Sequence, residues 1–147
     1  TMGFRFRFET LLKVRKIRED LALQEFSKAQ RRLKDLENIK NMKASQTADI
    51  RMQLMEHMNA GIKPFEVDSY HAYITRLETE IEQVEKLITQ AGRQLETKRH
   101  ELLKAKKELK AIERLKEIDS ERYRQREQKL DMRFMDELAI QRYGSRQ

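Results

Sequence analysis

The fold of this chain is decided by residues 67–112, which read VDSYHAYITRLETEIEQVEKLITQAGRQLETKRHELLKAKKELKAI. Steps of three and four residues along this stretch meet an apolar side chain at almost every position. An apolar repeat sustained over about six heptads is typical of a left-handed coiled coil. The predicted seam consists of Val67, Tyr70, Ile74, Leu77, Ile81, Val84, Ile88, Ala91, Leu95, Lys98, Leu102, Ala105, Leu109 and Ile112.

The composition of the whole chain also favours long helices. Its 147 residues include four Gly, one Pro and no Cys, and 39% of them are charged. So few turn-forming residues leave room for few loops, and the abundant Glu, Lys, Arg and Leu all favour helix. We therefore predict an all-α protein and exclude a sheet domain, a disulfide scaffold and a cysteine-ligated metal site. Because apolar runs are short, we expect no transmembrane segment and a cytoplasmic protein.

The strongest break in the helical pattern is residues 59–64, NAGIKP. Gly61 suits the position just after a helix, where φ is usually positive, and Pro64 suits the first turn of the next helix. We predict a single elongated coiled-coil domain over residues 1–147, in which the two helices pair antiparallel as a hairpin. The predicted elements are a helix over about 8–59, a turn over 60–63 and a helix over about 64–143.

The seam of the first helix is interrupted in its middle. Apolar residues keep heptad spacing over 22–36 and again over 50–54. Between these ranges the spacing falls on Lys40, Lys43 and Thr47, which predicts a loose or skewed middle. The alternative apolar line runs through Leu36, Ile39 and Met42.

The second helix is predicted to be longer than the first. If the chain folds back at Gly61, Phe4 lies opposite about residue 119, and residues 120–143 have no partner within the chain. A lone helix of this length is marginal in water, so its apolar side chains are available for binding. These side chains are Leu130, Met132, Phe134, Met135, Leu138 and Ile140.

Positive charge is concentrated near both ends of the chain. Residues 1–18 hold six Lys and Arg against one Glu, and residues 122–133 hold five against two acidic residues. A hairpin brings both segments to the same end. We expect this basic end to attract an acidic partner surface.

No pattern of catalytic or metal-binding residues is recognisable. The three histidines, His57, His71 and His100, are isolated, and the chain has no Gly-rich phosphate loop and no nucleophile motif. We therefore expect no enzyme activity, no cofactor and no metal site.

Four other features allow both a packing role and a binding role. The Phe-Arg alternation over 4–8 either caps the end of the helix pair or anchors a partner. Tyr70 and Leu77 are expected in the core, whereas Tyr73 is either an exposed contact or partly buried. The basic residues over 122–133 form either a solvated face or an interaction surface. Helical spacing favours packing at the edge of the core over a binding patch for Met52, Met55 and Met58.

Four segments of the sequence resemble one known family. Residues 4–15, FRFRFETLLKVR, look like the opening of the FliJ family, the coiled-coil stalk protein of the bacterial flagellar type III export apparatus, although Phe8 replaces the usual Leu. The turn over 60–62 with the tyrosines after it, the stretch 111–117 and the closing residues 136–142 are similar to the family too. The resemblance extends over the whole chain.

This resemblance implies an antiparallel two-helix coiled coil without a catalytic site, similar to the central stalk of rotary ATP synthases. It implies that the terminal end is held in the hexameric export ATPase and promotes its assembly and activity. It also implies contacts with the export-gate membrane protein and with export chaperones, and a location at the inner face of the cell membrane. The implied ATPase contacts are Phe4, Arg5, Phe6, Arg7, Arg15, Arg126, Lys129, Arg133, Phe134 and Met135. The implied gate contacts are Ile50, Tyr73 and Leu77.

Three other functions remain open from the sequence. The stalk of a virulence-type secretion ATPase is hard to separate from a flagellar one. A nucleic-acid-binding coiled coil is compatible with the basic termini, but it is disfavoured because acidic residues are interspersed almost one for one elsewhere. A homodimeric spacer would pair the second helix between chains.

Overall fold

The computed structural model describes residues 3–145, and their architecture is two long helices. Helix α1 is Glu9–Asn59 and helix α2 is Pro64–Ser145, with no strand within the described part of the chain. These bounds lie within two residues of those predicted from the sequence. Gly92 lies inside α2, as the long uninterrupted repeat indicates. The all-α fold class is confirmed.

The turn between the helices is a Schellman motif centred on Gly61. The Ile62 amide donates to the carbonyl of His57 at 3.1 Å, and the Gly61 amide donates to the carbonyl of Met58 at 3.2 Å. Gly61 has a φ of 85°, which glycine adopts without the steric penalty of a Cβ atom. Pro64 then begins α2, where its missing amide hydrogen leaves no helical bond unmade.

The predicted seam of α2 is the face that packs against α1. All fourteen predicted positions, from Val67 to Ile112, are buried or half-buried. Leu77 and Ala91 are each only 3% exposed. The heptad spacing of the sequence therefore identifies the packed face of α2 correctly.

The polar residues in the middle of α1 lie on the same face of the helix as the apolar seam residues before and after them. Thr47 is buried, and its hydroxyl donates to the carbonyl of Lys43 at 2.8 Å. The ammonium groups of Lys40 and Lys43 form salt bridges with Glu85 at 3.3 Å and Glu80 at 2.7 Å. The alternative line through Ile39 and Met42 is wrong, because both side chains are exposed. The lysines stay on the seam because their aliphatic stems pack while their charges reach carboxylates on α2.

The Glu80 carboxylate of α2 pairs with this polar middle. Its pKa is lowered, first by the hydrogen bond from Lys43 and then by the charges of Lys43 and Arg76. The Arg76 guanidinium lies 3.3 Å from the other oxygen of the same carboxylate. Glu80 therefore joins α1 to α2 through a charged pair at the packed face.

The chain divides into two units by its internal contacts, and each shows the same pairing. Unit 1 contains Thr1–Leu21 and Leu103–Gln147, and unit 2 contains Ala22–Leu102. In unit 2, Arg51 pairs with Glu78 nearer the turn, and Lys40 pairs with Glu85 farther from it. Such an order requires antiparallel helices. In unit 1 the antiparallel pairs are Glu9 with Lys116 and Arg15 with Glu108. The antiparallel hairpin is confirmed, whereas the organisation as a single domain stays a prediction.

Candidate functional site

The N-terminal segment of unit 1 is held by an aromatic cluster. Phe6 is 7% exposed and packs with Leu12 of α1 and with Leu109 and Ile112 of α2. Phe4 and Phe8 are half-buried against the same cluster, and the rings of Phe6 and Phe8 meet edge to face at 5.9 Å. The alternating phenylalanines therefore cap the helix pair of unit 1. Phe6 is a core residue, and Phe4 and Phe8 retain partial access to solvent.

A basic groove lies beside this cluster. Phe4 rests on Tyr123 with ring centroids 5.7 Å apart, so the N-terminal segment reaches α2 at that residue. The groove brings together three of the predicted ATPase contacts from the N-terminal segment and two from α2. One carboxylate, that of Asp119, lies among five cationic groups, so the groove is suited to an acidic partner. Its lining residues are Phe4, Arg5, Arg7, Asp119, Arg122, Gln125, Arg126 and Lys129.

Arg15 differs from the other predicted ATPase contacts. It is half-buried on the packed face of α1, and its Nη1 atom donates to the carbonyl of Glu108 at 2.8 Å. Its Nε atom is buried with no hydrogen-bond partner within the described residues. Arg15 therefore joins the two helices of unit 1, and it does not line the basic groove.

The C-terminal part of α2 exposes apolar side chains, as the sequence predicts. We call residues 124–144 the extension, since the Phe4 contact at Tyr123 places its start a few residues later than the predicted Ser120. Every residue of the extension is exposed except Leu138, which is half-buried. Leu130 is 56% and Phe134 is 61% exposed. The remaining predicted contacts here, Arg133 and Met135, are exposed as well.

The residues predicted to contact an export gate fall into two environments in unit 2. Ile50 and Tyr73 line one shallow groove next to the turn, which also includes His57 and Tyr70. In that groove the Tyr70 hydroxyl lies 3.3 Å from Nδ1 of His57. Tyr73 is 42% exposed, whereas Leu77 is buried in the seam and does not line the groove.

Sequence reasoning missed an apolar surface near the turn. Met52, Met55 and Met58 are all more than half exposed, so the prediction of packing at the edge of the core is wrong. The signal was present for Met52, which lies two residues before the seam residue Leu54 and therefore on the opposite side of α1. It was absent for Met58, which follows Leu54 by a step of four. Phe65, which directly follows Pro64 in the first turn of α2, is 79% exposed.

The described residues contain no arrangement suited to a metal and no membrane-spanning helix. Over residues 3–145, no cluster of three or more His, Asp or Glu side chains is placed to bind a metal ion. In the same range neither α1 nor α2 is apolar enough to cross a bilayer.

Comparison with known proteins identifies the family. The family described as Flagellar FliJ protein matches residues 4–147, which is nearly the whole chain. The chain belongs to the FliJ family. A curated member, the Flagellar FliJ protein of Bacillus subtilis strain 168, is 22% identical over 147 residues, covering 97% of each chain. No solved structure matches significantly.

Membership of the FliJ family assigns the broad role. The family is a component of the flagellar protein export apparatus, so this chain takes part in flagellar assembly and protein transport. The FliJ family is not a known enzyme family. Three surfaces of the described residues are candidates for binding: the basic groove, the extension and the groove next to the turn.

Proposed function

We propose that this chain is the non-enzymatic stalk of the flagellar export ATPase. Its terminal residues insert into the ATPase hexamer and promote hexamer assembly and ATP hydrolysis. The observation that carries the proposal is the extension, a helix whose large apolar side chains are exposed beside a basic groove. Side chains such as Phe134 and Met135 have little reason to be apolar unless a partner covers them.

The mechanism that we propose is differential binding to the subunits of the ring. The terminal residues of unit 1 differ around the helix pair, so the identical subunits of a hexamer meet different contacts. A subunit conformation that contacts the groove or the extension better becomes more populated. The chain thereby biases which subunits are open or closed without any catalytic group of its own. An acidic surface of the ATPase is attracted and oriented by the groove residues Arg5, Arg7, Arg126 and Lys129.

A second contact of the same stalk is proposed with the export gate. Ile50 and Tyr73 share the groove next to the turn and remain accessible, so they are the residues that we propose for the gate. Leu77 would act indirectly by holding α2 in place. Export chaperones complete the set of proposed partners. These contacts would place the chain at the inner face of the cell membrane through the export apparatus.

The experiment is a measurement of ATP hydrolysis and hexamer assembly by the matching export ATPase, with and without this chain. Deleting residues 124–147 removes the extension but keeps Tyr123 under Phe4. We expect the deletion to abolish stimulation while circular dichroism still reports a helix pair. The Phe134→Ala/Met135→Ala double variant should lose most of the stimulation.

The matched control is Met52→Ala/Met55→Ala, which removes equally exposed apolar side chains from unit 2. This control should stimulate the ATPase like the native chain. Full stimulation by the deletion variant, or equal losses in the control, would contradict the proposed role of the extension. A native chain that neither binds nor stimulates the ATPase would overturn the proposal as a whole.

A further inference from the structure

In the extension, the packed face of α2 continues beyond the residues that α1 and the segment before it cover. Tyr123 follows Ile112 by about three helical turns, and Leu130 follows Tyr123 by about two. Phe134 and Leu138 come at successive steps of four, so they lie on the same side of α2 as Ile112. We call Tyr123, Leu130, Phe134 and Leu138 the seam stripe.

The two parts of this face differ only in what lies over them. Ile112 is buried in the cluster with Phe6 and Leu12, and Tyr123 is half-buried under Phe4. Leu130 and Phe134 are more than half exposed. Apolar side chains therefore recur on this side of α2 for about four turns from Tyr123 to Leu138. Side chains at steps of three and four form ridges that pack into the grooves of another helix. A helix is therefore the element that we expect to cover this face.

The sides of the seam stripe carry unequal charge. Along one side, steps of three and four residues join Arg122, Arg126, Lys129 and Arg133. Arg5 and Arg7 line the same basic groove as the first three of these. The other side holds Asp131 and the paired Arg124, whose guanidinium lies 2.8 Å from Glu121.

We infer that the seam stripe binds one amphipathic helix of the export ATPase, in line with α1, with acidic side chains along the flank that faces the basic side. This inference rests on the proposed function and adds the kind of element that binds and its orientation about α2. The acidic flank follows from charge complementarity with Arg122, Arg126, Lys129 and Arg133. A second copy of this chain is disfavoured, because in a two-fold antiparallel pair each basic side would face its own equivalent.

Photo-cross-linking to the intact export ATPase tests the geometry. A photoreactive phenylalanine analogue is placed at position 130 or 134 on the seam stripe, or at 132 on the opposite side of α2. Positions 130 and 134 should cross-link to one helix, at residues three or four apart that lie beside acidic residues. Cross-links that scatter over several segments, or that form equally from position 132, would overturn the inference.

Binding measurements with matched variants test the energetics. Leu130→Ala/Phe134→Ala should weaken binding to the ATPase at least tenfold, because apolar anchors dominate interfaces. Met132→Ala removes a similarly exposed side chain from the opposite side and should change binding less than threefold. Arg126→Glu should weaken binding more at low salt than at high salt. Arg124→Glu, on the other side of the stripe, is its control and should have little effect.

The outcomes separate this inference from the proposed function. If the native chain fails to bind the ATPase, the proposed function is wrong and the inference falls with it. If the native chain binds but Leu130→Ala/Phe134→Ala and Met132→Ala weaken binding equally, the inference is wrong and the proposed function stands. Cross-links between two copies of this chain would replace the ATPase helix with a homodimer. Competition by a DNA duplex that abolishes the cross-links would also overturn the inference.

Discussion

Two stretches of α2 have similar residues and opposite surroundings. Over 67–112, leucines and isoleucines at heptad spacing are buried or half-buried against α1. Over 124–144, leucine, phenylalanine and methionine side chains are exposed on the same helix. The difference lies in the partner, since α1 and the residues before it cover only the first stretch and reach Tyr123. An apolar pattern therefore indicates a contact surface even where the chain itself does not supply the helix that covers it.

Truncating one leucine of the buried cluster and one of the extension, both in unit 1, tests this difference most directly. Leu12 is 2% exposed in the cluster that caps the helix pair, so Leu12→Ala should lower the free energy of unfolding by about 2–5 kcal/mol. Leu130→Ala should change it by less than about 0.5 kcal/mol, because little is buried there. Urea unfolding followed by circular dichroism measures both. Equal losses would mean that the extension is packed within the free chain.

The next comparison sets the turn against the interior of α2. Gly61→Ala should cost about 1–2 kcal/mol of unfolding free energy, because any Cβ atom strains a residue with positive φ. An added Cβ meets no atom within 4 Å at either Gly61 or Gly92. Gly92→Ala should therefore stabilise the chain by up to about 1 kcal/mol through helix propensity alone. Thermal unfolding shows whether each variant is more or less stable than the native chain. A stabilised Gly61→Ala variant would contradict the Schellman turn.

The smallest expected effect concerns Glu80 of α2, which pairs with Lys43 in the polar middle of α1. Because the folded chain lowers the pKa of Glu80, its ionised form stabilises the fold above the unfolded pKa, and this contribution is lost as the pH falls through the folded value. Glu80→Gln should therefore lower Tm slightly at pH 7, and the gap to the native chain should close in acid. Glu82→Gln, at an exposed position two residues on, is the control. A gap that persists at pH 2 would assign the loss to packing.

The fold was predictable because one physical rule governs most of it. The heptad spacing from Val67 to Ile112 identifies the packed face of α2 correctly, and the Gly61 and Pro64 pair places the turn. The rule was less informative in α1, where Lys40 and Lys43 occupy seam positions that an apolar pattern cannot recognise. Their placement depends on carboxylates of α2, which are distant in sequence.

The candidate site was predictable in its location and less so in its individual side chains. The basic ends and the extension follow from charge counts and helix lengths. The burial of Phe6 depends on how the segment before α1 lies against α2, and the bond of Arg15 depends on the pairing of α1 with α2. Leu77 shares this difficulty, because a residue that matches a family contact can also be a seam residue. Which predicted contacts are accessible is therefore a three-dimensional property that the family resemblance alone does not supply.

The position of the turn has a kinetic consequence for the terminal surface. His57 and Tyr70 meet across 13 residues of chain, whereas Arg15 and Glu108 meet across 93. Contacts with short sequence separation close first, so pairing spreads from Gly61 and reaches the Phe6 cluster last. The same cluster is then the first to open, and hydrogen exchange should be faster around Leu12 than around Leu77. A partner that binds the termini would stabilise the part of the helix pair that opens first. It would also slow the opening of the helix pairing nearer the turn.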